Sequence, residues 1–115
     1  MVALGNKASI IPVIQEELDT FEAEVQAFRR QERGDEFTPF RLKQGVYGQR
    51  QADAMMMRIK IPGGLVTAEQ LDALGEVADR FAPLQKGHIT TRENVQFHHI
   101  DLDNTATVMR LLVEV

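Results

Sequence analysis

The chain contains no cysteine and no tryptophan among its 115 residues. Without thiols there are no disulfides, no thiolate-bound zinc, no cysteine nucleophile and no iron–sulfur cluster held by the chain's own side chains. No apolar run approaches the roughly 20 residues that cross a bilayer, and the N-terminus lacks the charged and apolar regions of a secretory signal. A cytoplasmic protein with no membrane partner is expected. Basic residues are also in the minority, with 13 Lys and Arg against 17 Asp and Glu, a net charge of -4 and a pI near 5.3. That balance excludes broad electrostatic binding of nucleic acid. Aromatics are only 6% of the residues, and the candidate central strands lack the paired exposed aromatics of an RNA-binding sheet. Histidines fall at 88, 98 and 99 without a supporting carboxylate pattern, and no His-x-x-x-His helical signature is present, so no metal site is expected.

What is present suits one small globular domain: 43% hydrophobic residues, enough for a modest core. Residues 1–9 read as a loose end. From Pro12 to about Arg33, Ile14, Leu18, Phe21, Val25 and Phe28 recur at intervals of four and three, the stripe of an amphipathic helix. Its acids (Glu16, Glu17, Asp19) precede its arginines (Arg29, Arg30, Arg33), as the helix dipole favours, and Gly34 is placed to stop it. Phe37–Tyr47, broken by Pro39 and Gly45, reads as a short strand or extended arm, and 48–51 as a loop whose Gln49 and Arg50 suit a plain surface. Thr67-Ala68-Glu69-Gln70 has the spacing of a capping box and predicts a helix from Ala68 that buries Leu71, Leu74, Val77, Ala78 and Phe81 and ends before Pro83. A last helix, capped by Asp103 or Asn104, carries Val108, Leu111, Leu112 and Val115.

Two stretches carry chemistry. In Ala54–Ile61 a period of two puts Met55, Met57, Ile59 and Ile61 on one face and Met56, Arg58 and Lys60 on the other. In Ile89–Ile100, a hairpin expected to turn near Asn94, the residues Thr90, Arg92, Gln96 and His98 offer donors suited to a large anion. An edge strand guarded by charges and a solvated polar hairpin are the plainer accounts of each. Taken together, helix, arm, strand, helix, strand, strand, helix give an α+β chain. Its β-α-β-β-α run is an incomplete ferredoxin-like split β-α-β sandwich, with helices on one face of an antiparallel sheet and the last strand missing. Because the chain stops inside an apolar helix, a piece of something larger is expected. On such a sheet Arg58 and Lys60 share the open face with Thr90, Arg92, Gln96 and His98, a cationic surface for a flat, carboxylate-rimmed ligand.

At these residues a resemblance enters. Thr90-Thr91-Arg92-Glu93-Asn94-Val95-Gln96-Phe97-His98 resembles the Thr-x-Arg-x-x-x-Gln-x-His segment of sirohaem-dependent sulfite and nitrite reductases. Met57–Gly64 is similar to the strand and Pro-Gly turn before that segment, and Tyr47-Gly48-Gln49-Arg50-Gln51 to a loop of the bacterial ferredoxin-dependent members. The resemblance runs from about residue 37 to 112 and rests on three motifs in order. It implies an N-terminal tail and helix over 1–35, followed over 36–115 by one ferredoxin-like half-domain of a six-electron reductase. Sirohaem and a 4Fe–4S cluster serve the full-length enzyme; neither is expected on this piece, which is expected to be inactive alone. Arg58 corresponds to the family arginine that binds the sulfite or nitrite oxygens. Thr90, Arg92, Gln96 and His98 correspond to residues that contact sirohaem, with Lys60 and His88 as further basic positions. Implied partners are the remaining reductase domains and, as electron donor, ferredoxin or a reductase subunit. His98, where nitrite-specific members often carry Arg, favours sulfite. The family's cluster cysteines, lysines and second substrate arginine are absent from this chain. The competing reading is a stand-alone ferredoxin-like regulatory module that binds an anionic metabolite.

Overall fold

The strand of three consecutive methionines becomes the axis of a four-stranded sheet. In a computed structural model, residues 2–32, 34–49 and 54–115 are described, the first ten of them by backbone alone; Arg33, Arg50 and Gln51, named above, lie outside the described residues. The elements are α1 (Val2–Arg29), α2 (Phe37–Lys43), β1 (Val46–Gly48), β2 (Ala54–Lys60), α3 (Ala68–Phe81), β3 (His88–Ile89), β4 (Asn94–Asp101) and α4 (Thr105–Val113). Strands run in the order β1-β2-β4-β3, each antiparallel to its neighbour. This is the expected α+β sheet with helices on one face.

The alternation decides which face is covered. Met55 and Met57 from β2 and Val95, Phe97 and Ile100 from β4 join Phe21, Val25, Phe37, Leu74, Val77 and Val108 from the four helices in one core. Each fully buried large side chain here stabilises the fold by about 1.5–3 kcal/mol. Met56, Arg58, Gln96 and His98, one residue out of phase, remain half-buried on the opposite face.

Helix α3 begins as expected. The Thr67 hydroxyl accepts from the Gln70 N–H at 3.1 Å, and the Gln70 side chain accepts from the Thr67 N–H at 3.0 Å. Of its predicted core, Leu74 and Val77 are buried, but Leu71 is 63% exposed, because the helix lies on the sheet by a narrower stripe.

Several expectations are corrected. The N-terminal residues are helical from Val2, and Pro12 sits inside that helix rather than opening it. The helix ends at Arg29, ahead of Gly34: Gln31 takes a left-handed φ of 62°, its N–H donates to Phe28 O, and Glu32 N–H donates to Ala27 O. That is the double bond of a Schellman cap, completed before the glycine is reached. The arm at 37–47 is a helix followed by a three-residue strand. Phe37 and Phe40 lie one turn apart and stack on Phe28 and Phe21, with ring centroids 4.5 and 5.9 Å apart, so packing overrides the reading of Pro39 as a breaker. The hairpin turns at Thr90–Glu93, where Glu93 takes φ 59°, and Asn94 is the first residue of β4. Asn104 precedes α4 without a side-chain cap; instead the Asp101 carboxylate accepts from the Asp103 N–H at 2.9 Å. Finally, the sheet edge left open for a last strand is taken by β1, which pairs Val46 with Met57 and Gly48 with Met55.

Candidate functional site

The uncovered sheet face gathers the candidate residues through strand register. Arg58 pairs with Gln96, and Gln96 pairs with His88, so these three stand in one row across β2, β4 and β3. Lys60 pairs with Asn94 in the next row, beside the turn that carries Arg92. That turn is tied down at its base, since Ile61 N–H donates to Glu93 O at 2.8 Å and Gly63 N–H to the Glu93 carboxylate at 3.2 Å.

Arg58 is held from two sides. Its backbone N–H donates to Gly45 O at 2.9 Å, and its guanidinium carbon lies 4.8 Å from the centroid of the Tyr47 ring, a cation–π contact. Its Nε is buried and has no hydrogen-bond partner among the described residues. A buried unpaired donor costs about 1–3 kcal/mol, so it marks a place where an acceptor is missing.

Charge pairing separates this face from α1, α3 and α4. Arg29 contacts Asp103 at 2.9 Å, Arg80 contacts Glu76 at 2.6 Å, and Arg110 contacts Asp19 at 2.7 Å and Glu22 at 3.4 Å. The hydrogen bond to Asp19 pushes the Arg110 guanidinium above the ordinary arginine range, and Glu32 does the same for Arg30. Arg58, Lys60 and Arg92 make no ion pair among the described residues. The arginines of α1, α3 and α4 are neutralised locally, whereas Arg58, Lys60 and Arg92, like Arg41 and Lys43 of α2, are not among the described residues.

Thr90 is committed to the turn. Its hydroxyl donates to the buried Asn94 Oδ1 at 2.7 Å and accepts from the Arg92 N–H at 3.2 Å. It therefore shapes the loop that presents Arg92. His98 lines a cleft of about 270 Å³ with Leu84, Lys86, Gly87, His88 and His99. A second hollow of about 290 Å³, between β2, α3 and α4, is lined by Ile59, Ile61, Leu65, Val66, Leu74 and Leu112 among others. It is apolar, and its Gln70 is already used in the α3 cap. The chemistry belongs to the sheet face.

Comparison with known proteins adds the decisive observation: the family described as nitrite/sulfite reductase ferredoxin-like half domain matches residues 47–115. The chain belongs to that half-domain family. The half-domain is 37% identical over 62 residues to sulfite reductase [ferredoxin] 2 of Mycolicibacterium paratuberculosis, covering 54% of this chain and 11% of that one. It is 36% identical over 55 residues to ferredoxin–nitrite reductase of Leptolyngbya laminosa, covering 48% and 11%. It is likewise 36% identical over 63 residues to the sulfite reductase [NADPH] hemoprotein beta-component of Staphylococcus haemolyticus, covering 55% and 11%. The half-domain spans about a ninth of the length of these relatives. No solved structure matches it.

Two residues of the half-domain face the site without having been singled out for it. Tyr47 pairs with Met56, on the same face as Arg58. Gln49 bonds to both residues of the β4 bulge, at His98 Nδ1 (3.1 Å) and the His99 N–H (2.7 Å). Both lie in the Tyr47–Gln51 motif that carries the resemblance, but the sequence assigns neither of them a role at the site.

Proposed function

We propose that this half-domain forms one wall of the sirohaem and anion pocket of a sulfite or nitrite reductase. The observation that supports it most is the pair of unpaired cations Arg58 and Lys60 on the open sheet face, with a buried, unpartnered Arg58 Nε, in a protein whose Arg29, Arg80 and Arg110 are matched with carboxylates. That orphaned donor and the neighbouring free cations fit a carboxylated macrocycle and a small oxyanion.

Sirohaem, when bound, supplies the iron at which a six-electron reduction of the anion takes place. The chain's own residues do the rest. Arg58 binds anion oxygens, and its Tyr47 contact fixes where the guanidinium points. Arg92, Lys60 and His88 neutralise or bond carboxylates at the rim, Gln96 gives a neutral donor in the row between Arg58 and His88, and His98 adds a ring nitrogen. Thr90 contributes through the turn it shapes. The absence of cysteine means the residues present do not fit a 4Fe–4S cluster, which other parts of the enzyme must hold. On this reading the isolated chain is catalytically silent and lacks half of the cradle. The remaining reductase domains complete it, ferredoxin or a reductase subunit delivers electrons, and His98 favours sulfite. Among the described residues no helix is long and apolar enough to cross a membrane; a cytoplasmic location is proposed with the rest.

The test is spectroscopic. A reductase carrying this half-domain together with its second half and cluster domain is expected to show a sirohaem absorption band. Arg58→Ala in it should lower anion reduction by roughly 100-fold, the scale of losing one preorganised charge donor, while leaving the fold intact. Equal loss of fold and cofactor in that variant makes Arg58 structural. The isolated chain purifies colourless on this reading, and a retained sirohaem band contradicts it.

A further inference from the structure

Gln49 follows the edge strand β1, yet its side chain bonds to β4, two strands away in the sheet. The reason lies in a bulge. Met55 pairs with Ile100 and Met57 with Phe97, so His98 and His99 together oppose Met56, and His99 is forced to a left-handed φ of 61°. The bulge takes the His99 N–H out of the ladder, and Gln49 Oε1 accepts it at 2.7 Å.

That bond fixes the rest by elimination. A backbone N–H only donates, so the amide oxygen of Gln49 must face His99 and its NH₂ group must face the His98 ring. The NH₂ group also only donates, and it lies 3.1 Å from His98 Nδ1. Nδ1 is therefore an acceptor without a hydrogen, and the neutral ring carries its hydrogen on Nε2. The Gln49 N–H, bonded to Ala54 O at 3.1 Å, anchors the clamp where the chain passes between β1 and β2.

We infer that Gln49 is a positioning residue that locks His98 as its Nε2–H tautomer, so that His98 serves the sheet face as a neutral hydrogen-bond donor to an anionic oxygen rather than as a cation. An imidazolium would place a hydrogen on Nδ1 against the amide hydrogens of Gln49, so the clamp and a charged ring are incompatible. The positive charge of the surface then comes from Arg58, Lys60 and Arg92. That the anionic oxygen is a sirohaem carboxylate rests on the proposed function; the tautomer does not.

Long-range ¹H–¹⁵N correlation spectra of the imidazoles in the labelled 115-residue chain, at mildly alkaline pH, read the tautomer directly. His98 is expected with Nδ1 unprotonated and Nε2 protonated. Gln49→Glu, whose carboxylate accepts instead of donating, should move the hydrogen to Nδ1, and Gln49→Leu should give a mixture. An Nδ1–H or cationic His98 in the wild-type chain overturns the clamp without any variant, and so does an unchanged tautomer in a folded Gln49→Glu. In the sirohaem-loaded reductase the same Gln49→Glu change is expected to weaken cofactor retention by roughly tenfold, the usual scale for an orienting partner. Failure of the unmutated reductase to take up sirohaem removes the cofactor reading and leaves the tautomer standing.

Discussion

At the scale of single residues, the open face depends on a close approach between Gly45 and Arg58. Gly45 takes φ 81°, and a Cβ there would lie 2.9 Å from the Arg58 carbonyl oxygen. The left-handed backbone alone costs a non-glycine residue about 1–2 kcal/mol, and the clash is with backbone that cannot rotate away. Gly45→Ala is therefore expected to lower unfolding free energy by more than about 2 kcal/mol in urea titration. A loss below 0.5 kcal/mol, at about the level of an ordinary surface change, contradicts the close approach. That Arg58 and Lys60 lie on the uncovered face was legible because a plain period of two sorts β2 into an apolar and a cationic face. The setting of His98 was not legible: the period of β4 breaks at a bulge, and a bulge is a property of register between strands. Gln49 lies 49 and 50 positions from its two partners, beyond the reach of any local pattern.

Among elements, α3 was the easiest to read because its start is written in four consecutive residues. The capping box holds two otherwise unpaired backbone N–H groups, of Thr67 and Gln70, and nothing distant is needed to form it. Thr67→Ala should cost about 1 kcal/mol. For a domain of this size that appears as a melting temperature lower by about 4 °C, measurable by circular dichroism. A shift under 1 °C, about the scatter of a neutral surface change, means that water caps the helix equally well. Helix α2 was illegible for the opposite reason. Seven residues with Pro39 among them form no stable helix alone, and it is the stacking of Phe37 and Phe40 against α1 that selects the conformation. β1 follows from the same contact: Arg41, on α2, donates to Val46 O at 3.1 Å and so holds the strand start in reach of β2. The edge strand expected from the end of a ferredoxin-like fold comes here from its beginning.

For the whole molecule, a net charge of -4 conceals a division between two surfaces. Asp19, Glu22 and Glu76 lie on helices and answer Arg110 and Arg80, while the sheet side keeps Arg58, Lys60 and Arg92 unanswered among the described residues. Composition argued against a broad basic surface, but it could not show a local one, since pairs such as Arg110 with Asp19 join positions 91 apart. An isolated wall of a pocket should still feel a polyanion, weakly. Titrating the ¹⁵N-labelled chain with an aromatic polycarboxylate at low salt is expected to move the amide signals of Arg58, Gln96, His88 and Arg92 together. Raising the ionic strength from about 0.01 to 1 M shortens the screening length from about 30 to 3 Å and should abolish the effect. The surface of α1 should stay silent, because it is acidic, and so should Leu74 and Leu112 at the apolar floor of the second hollow, whose one charged lining residue is Lys60. Shifts centred on α1 or on Leu74 and Leu112, or shifts that persist in high salt, would mean that the unpaired cations of the sheet do not act as one surface, and the proposed pocket wall would lose its physical basis.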